Sequence, residues 1–186
     1  GTLGPVDLKE GGAAMTLAGS PVLFSLAGDA KINDAKITTT NVVAKNGVIH
    51  IIDTVIVPPK DDIVATASAA GTFTKLAAAL TSAALVSALQ AKGPFTVFAP
   101  TDDAFAKLSS VPSGDALKNV LLYHVVEGAI GSGNLKAGMV PTLLKDKSLT
   151  IDLSSGVKVS SSAVTKANIL TKNGIIHVVD NVLVPN

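Results

Sequence analysis

Lys172-Asn173-Gly174-Ile175-Ile176-His177-Val178-Val179-Asp180-Asn181-Val182-Leu183-Val184-Pro185 is the stretch whose reading decides how this chain is organised. An earlier copy runs Lys45-Asn46-Gly47-Val48-Ile49-His50-Ile51-Ile52-Asp53-Thr54-Val55-Ile56-Val57-Pro58. In each copy an Asn-Gly pair can supply the two positive-φ positions of a type I′ turn. The β-branched run behind it is strand-forming until proline removes a ladder donor. Each copy is therefore predicted to be a tight turn feeding a buried strand. The offset between the copies is 127 residues, and it holds upstream without a gap. Leu8-Lys9 aligns with Leu135-Lys136, Gly11 with Gly138, Ala30-Lys31-Ile32 with Val157-Lys158-Val159, and Asn41 with Asn168. A fixed-period repeat is a statement about architecture. Residues 1–59 read as a second copy of residues 128–186, whereas residues 60–127 occur once.

Outward from the repeat, the periodicity changes. Residues 1–59 show short alternating runs around Val22–Leu26, Lys31-Ile32 and Asn41–Val43, separated by Gly, Asp and Asn, and are expected to be strands with almost no helix. Pro58-Pro59-Lys60-Asp61-Asp62 reads as an extended linker. Beyond it the period becomes helical. Ile63, Val64, Ala67 and Ala70 share a face, and Thr72 is placed to cap a helix carrying Phe73, Leu76, Ala77 and Leu80. Ser82 is placed to cap a further piece with Leu85 and Leu89. Phe95–Phe98 reads as a strand. Thr101 followed by Asp102 and Asp103 is a helix start, because hydroxyl and carboxylates satisfy orphan amides. Leu117, Val120, Leu121 and His124 lie on one helical face. Strands return at Thr142–Leu144, Leu149–Leu153, Val157–Val159, Asn168–Leu170 and the final repeat. Helices first and antiparallel strands afterwards imply an α+β layer architecture.

Three segments, taken in order, resemble the signatures of the fasciclin domain: Gly93-Pro94-Phe95-Thr96-Val97-Phe98-Ala99-Pro100-Thr101-Asp102-Asp103-Ala104-Phe105, then Tyr123-His124-Val125-Val126, then Asn173 to Pro185. The resemblance covers residues 60–186 as one complete domain and residues 1–59 as the C-terminal half of another. It implies an antiparallel β-sandwich or wedge with a helical layer. A half sheet without its covering layer would leave an apolar face and open edges. Residues 1–59 are accordingly expected to be completed by a front half supplied elsewhere, from upstream, from a second chain or from a swapped neighbour.

Composition narrows the function classes. A net charge of +1 with scattered lysines and no arginine disfavours nucleic acid as a partner, since arginine makes the bidentate phosphate and base contacts. Cysteine is absent, and a domain of roughly 130 residues can bury enough surface to do without disulfides. Apolar runs such as Leu76–Leu80 are short and interrupted by polar residues, so no transmembrane segment is expected.

Candidate chemistry is sparse. Among His50, His124 and His177 there is no HxH or HExxH spacing to indicate a metal site, and packed histidines bonded to backbone carbonyls are the expected reading. Gly128-Ala129-Ile130-Gly131-Ser132-Gly133-Asn134 lacks the lysine of a phosphate loop and reads as a turn that re-aims the chain. No G-x-S-x-G occurs, and no catalytic residue or enzymatic activity is expected. The resemblance marks Tyr123, His124, Asn168, Ile169, His177 and Asp180 as structural-motif and partner-contact positions. Animal members carry an Asp-Ile pair for integrin contact, where this chain has Asn168-Ile169 and, in the half unit, Asn41-Val42. Asparagine offers no charge to a metal-dependent receptor. The resemblance implies an extracellular or cell-surface adhesion or matrix module, with tandem domains presented to a protein or polysaccharide partner and no cofactor. The alternative is a carrier of a small apolar ligand such as a carotenoid or lipid, held in a groove between sheet and helices.

Overall fold

A computed structural model of the chain describes residues 8–185. Residues 1–7 and Asn186, and with them the part of the 1–59 unit ahead of Leu8, lie outside the described residues. The fold is α+β. A first sheet carries β1 (Ala13–Met15), β2 (Pro21–Ser25), β3 (Lys31–Ile32), β4 (Ala35–Ala44) and β5 (Gly47–Ile52), paired antiparallel in chain order. A helical layer follows: α1 (Ile63–Ala69), α2 (Thr74–Ser82), α3 (Val86–Leu89), then strand β6 (Phe95–Pro100), then α4 (Asp102–Ala106) and α5 (Gly114–Tyr123). The remaining strands are β7 (Val125–Glu127), β8 (Gly138–Pro141), β9 (Ser148–Asp152), β10 (Lys158–Val159), β11 (Ser162–Thr171) and β12 (Gly174–Val179). The second sheet has the order β7-β6-β12-β11-β10-β9-β8.

Shifted by the repeat offset, β2, β3, β4 and β5 coincide end for end with β9, β10, β11 and β12. The correspondence extends to single hydrogen bonds. The Asp180 carboxylate accepts the Ala163 amide at 2.8 Å, and in the first sheet Asp53 accepts the Lys36 amide at 2.9 Å. Asn33 and Ser160 both sit at φ 53°, and Asn41 and Asn168 at φ 62° and 64°. Asn168 falls within an irregular part of the β11–β12 ladder, where the register shifts between Lys166 and Ile169. Strand β11 runs across this shift and joins the two portions of the second sheet. The Leu143 amide donates to Val125 O at 2.7 Å, which brings the β8 end back against β7. The sheet is thus folded over on itself as a wedge.

Two cores follow from period-2 alternation along β6 and β12. Val97 and Ala99 of β6, with Ile176 and Val178 of β12, pack under the helices against Ile63, Leu76, Leu80, Leu89 and Leu121. Phe98 and Val179 point the other way and pack with Tyr123, Leu149, Ile151, Val159 and Leu183 inside the wedge. Strand β12 is buried on both faces along its whole length.

One pairing departs from the all-antiparallel expectation: β12 runs parallel to β6, in register from Gly174 beside Phe95 to Val179 beside Pro100. A parallel neighbour needs a crossover rather than a hairpin, and the long segment between the two strands supplies it. The helical caps also differ from expectation. Thr72 does not cap α2. Asp102, at the start of α4, accepts from the Thr74 amide, the Thr74 hydroxyl and the Lys75 amide, so a residue 28 positions downstream caps α2. These bonds hold the Asp102 carboxyl below its usual range, the Thr74 hydroxyl contributing most. Thr101 caps α4 as expected, accepting the Ala104 amide at 3.2 Å. Ser82 ends α2 instead of opening α3. Thr142–Leu144 is a turn, since Pro141 closes β8 and the Thr142 hydroxyl bonds across the turn to Lys147 O at 2.9 Å.

The Asn-Gly hairpin is where the expectation fails most informatively. Thr171 pairs with Gly174, so Lys172 and Asn173 are the loop residues. Neither Asn173 nor Gly174 has positive φ, and the turn is not type I′. Gly174 is needed for room. A Cβ there would overlap the Phe95 carbonyl oxygen and lie 2.9 Å from Ile63 Cδ1. At the equivalent Gly47 a Cβ would meet nothing within 4 Å. Gly174→Ala is therefore expected to lower stability by about 2–4 kcal/mol, in the range of overpacked cores and broken ladders. Gly47→Ala should stay within about 0.5 kcal/mol of the parent. Thermal and denaturant melts of the two variants check the contrast, and equal effects would contradict the assigned β6–β12 approach.

Candidate functional site

Asn173 fixes the turn of the β11–β12 hairpin to the helical layer. Its side-chain oxygen accepts the Ile63 amide at 3.0 Å, and its side-chain nitrogen donates to Leu89 O at 2.7 Å and Ala91 O at 2.8 Å. An amide presents one acceptor and two donors in one plane, so a single buried side chain satisfies the first turn of α1 and the end of α3 together. Sequence reasoning took Asn173 as a turn former and missed this role. Its partners lie 82 to 110 residues away, which no local pattern could reveal.

The two histidines of the complete unit are buried and hold opposite tautomers. At His124 the Leu183 amide donates to Nε2 at 2.9 Å, so Nδ1 carries the proton and donates to Val120 O at 2.7 Å. At His177 the Asn168 amide faces Nδ1 at 3.3 Å, leaving Nε2–H to donate to Ile130 O at 2.9 Å. The His177 ring stacks on Phe98 at a centroid distance of 5.5 Å. Burial pushes the His124 imidazole down to about 4 and lowers that of His177 as well. A second ring proton would confront a backbone N–H at either residue, so both rings are neutral fasteners.

The other marked residues are placed as follows. Tyr123, one residue before His124, faces the wedge core and donates from its hydroxyl to Ser148 O at 2.9 Å. Asn168 sits in the left-handed region, where its side-chain oxygen accepts the Ser132 amide at 2.8 Å. Its nitrogen donates to Ser132 Oγ at 2.8 Å and Gly11 O at 3.4 Å. Ile169 packs from the edge of the helix-side core. Asp180 accepts from Ala163 and Asn181 through its carboxylate, while its carbonyl accepts from Lys107 Nζ at 2.7 Å. The structure joins Asn168 to His177 directly. Tyr123 and His124 are tied instead to Ser148 and to Leu183.

The glycine-rich segment after β7 has a role that its reading as a turn did not anticipate. The Gly133 amide donates to Gly11 O at 3.0 Å, and Asn134 accepts the Ala13 amide through its side chain. A Cβ on Gly131 or Gly133 would collide with the backbone of residues 10–13. These glycines let the first sheet lie backbone to backbone on the second unit. The signal was present in the sequence as three glycines within six residues, 128–133, but not its target.

Among the described residues no group of three His, Cys, Asp or Glu side chains could hold a metal ion, and no helix is long and apolar enough to cross a membrane. Between the helices and the sheet, the space lined by Ile63, Leu76, Leu121, His124 and Ile176 amounts to about 20 Å³, room for about one water molecule. The helical layer is seated on the sheet with no groove between them at this place.

The fold and motif geometry define a class of proteins, and comparison with known sequences agrees. The family model for the fasciclin domain matches residues 1–58 and 71–185. Protein sll1483 of Synechocystis sp. is 43% identical over 132 residues, covering 66% of this chain and 73% of that protein. Human periostin is 32% identical over 167 residues, which span 83% of this chain and 20% of periostin. A fasciclin-like arabinogalactan protein of Arthroderma benhamiae is 31% identical over 196 residues, covering 98% of this chain and 45% of that protein. Among solved structures, a FAS1 domain pair from the insect cell adhesion molecule fasciclin I superposes with a TM-score of 0.54 at 18% identity, over 92% of this chain and 71% of that one. This chain belongs to the fasciclin family.

The buried histidines set the pH response. Folded His124 titrates near 4, against 6.5 for the free group, so acid favours the unfolded chain. The contribution is fully present above about pH 6.5 and is lost progressively down to about pH 4, amounting to about 3 kcal/mol for His124. His177 acts in the same direction from the same upper limit, whereas the lowered Asp102 carboxyl adds to the loss only as the pH falls to its ordinary value of 3.8 and below. The melting temperature is expected to fall through this window, and His124→Leu should be less stable at neutral pH but less pH-sensitive. Removing the packed His177 ring in His177→Ala should cost about 1–3 kcal/mol. Circular-dichroism melts between pH 4 and 8 read both effects.

Proposed function

We propose that this chain is a non-enzymatic adhesion module of the extracellular space or cell surface, presenting fasciclin units in tandem to a protein or polysaccharide partner. The observation that supports this reading most is that the polar groups at its motif positions are engaged inside the fold. His124, His177, Asn173 and the Asp180 carboxylate each have protein partners. A histidine held neutral by burial, with both ring nitrogens bonded to backbone, is poorly placed to exchange protons with a substrate. The fold serves as a rigid support, and binding falls to its outer surface. Likeness to a domain pair from an insect cell adhesion molecule, and to a fasciclin-like arabinogalactan protein, points the same way. Asn168 spends its amide on Ser132 and Gly11, which favours a surface other than the Asn168-Ile169 pair for the partner.

The test is retention on a coated surface. Beads carrying the folded chain are expected to hold matrix polysaccharides or cell-surface proteins saturably, and to lose them when the chain is melted. Captured polysaccharide should show no new reducing ends. Cleavage that persists through purification and disappears in a folded surface variant would overturn the non-enzymatic reading. Failure to retain any of these partners would overturn the adhesion reading.

A further inference from the structure

A cleft of about 370 Å³ lies where the two units meet, between the turn 18–20 of the first sheet and the Lys172-Asn173 loop of the β11–β12 hairpin. Asp62 at the start of α1 and the segment 90–92 at the end of α3 close its other sides. The walls are fixed from behind. The buried Ser20 hydroxyl donates to Lys172 O at 3.2 Å, and the Lys172 amide donates to Asp61 O at 2.8 Å. Asn173 holds the opposite wall through Leu89 O and Ala91 O. Asp62 Oδ1 accepts the Ala65 amide at 2.8 Å, which leaves Oδ2 available. The corresponding turn of the complete unit, Lys145-Asp146-Lys147, is exposed although that unit has its helical layer. This place therefore stays open whether or not a layer covers the first sheet. Among the described residues the side chains of Gln90, Lys92 and Lys172 make no hydrogen bond or ion pair with the protein. No aromatic or branched aliphatic side chain lines the cleft, so affinity there has to come from charge and hydrogen bonds. Lys92 and Lys172 against Asp62 leave it a single formal positive charge.

We infer that this cleft binds a carboxylated sugar residue, a uronate, within an acidic polysaccharide chain. The inference rests on the polysaccharide form of the adhesion function proposed above and names the residue recognised. The sugar carboxylate lies between Lys92 and Lys172, where an ammonium acts as a point charge and needs no bidentate geometry. Sugar hydroxyls donate to Asp62 Oδ2 and exchange bonds with the Gln90 amide, which offers two donors and an acceptor. A monoanion balances the charge of the cleft, whereas a phosphate dianion would exceed it and face Asp62. The volume is at the lower end for small-molecule sites, which suits a short length of sugar chain rather than a folded protein surface. Because the backbone of the walls is already held, little ordering is left to oppose binding.

The test is calorimetric titration of the full chain with trigalacturonate, galacturonate and inorganic phosphate, and with maltotriose as the uncharged control. Trigalacturonate is expected to bind at one site, more tightly than galacturonate or phosphate, and to weaken as salt is raised, while maltotriose does not bind. Lys92→Ala and Lys172→Ala should each lower its affinity by about tenfold, the loss of one charge-assisted hydrogen bond. Both lysines are exposed, so the variants should fold, and unchanged melts check this. Lys118→Ala, exposed on α5 and outside the cleft, should have no effect. Binding undiminished in both cleft variants, or reduced equally in Lys118→Ala, would overturn the site. Galacturonate as tight as the trimer would overturn the chain, and phosphate or maltotriose as tight as the trimer would overturn the uronate. Absence of trigalacturonate binding would remove this inference, while beads that still retain proteins or neutral polysaccharides would leave the adhesion reading standing. Trigalacturonate bound in solution by a chain whose beads retain no matrix partner would do the reverse.

Discussion

The parallel approach of β12 to β6 is the constraint on which the rest of the complete unit depends. Both cores are built from these two strands, one on each face, so neither can form until the strands lie side by side. The approach begins at Gly174, where the Phe95 carbonyl takes the space of a side chain, and it is held at the turn by the three bonds of Asn173. A pairing between segments far apart in sequence has a large closure entropy to overcome. Several buried, fully satisfied polar groups at the meeting point offset that cost and select one register.

The histidines extend the same logic to the outer elements. His124 joins the end of α5 to the chain beyond β12, and His177 joins β12 to the glycine-rich segment at Ile130. Each ring fills core volume while satisfying two backbone groups that would otherwise be buried without partners. Their neutrality follows from the geometry, because in both rings one nitrogen must accept. Residues with the appearance of chemistry, namely His124, His177 and Asp102, are thereby accounted for as fasteners or caps.

The two copies of the hairpin show how far burial belongs to context. A related sequence, Gly-Val-Ile-His-Ile-Ile in β5 against Gly-Ile-Ile-His-Val-Val in β12, forms the same strands, with the same bulge and the same Asp-to-amide bond at 36/53 and 163/180. In the second unit β12 is buried throughout, whereas β5 alternates between half-buried and exposed. Strand formation is local enough to occur where no helical layer among the described residues covers the strand. Burial is not, since it requires atoms from elsewhere.

Much was legible in the sequence by itself. The 127-residue offset, the switch from period 2 to period 3.6, the Thr101 cap and the paired Tyr123-His124 all follow from patterns a few residues long, or from self-comparison. These patterns were enough for the α+β class and the family. Other features were set by the tertiary structure. Gly174 reads locally as a turn glycine but is a glycine of close approach. Asp102 reads as the cap of its own helix but caps α2. Gly131 and Gly133 read as a turn but seat the first sheet. In each case the decisive partner is a backbone group far away in sequence, and a backbone group leaves no trace in residue identity. Local sequence can state which conformations a segment prefers, while close approach and hydrogen-bond satisfaction are properties of pairs of segments that exist only once the chain has folded.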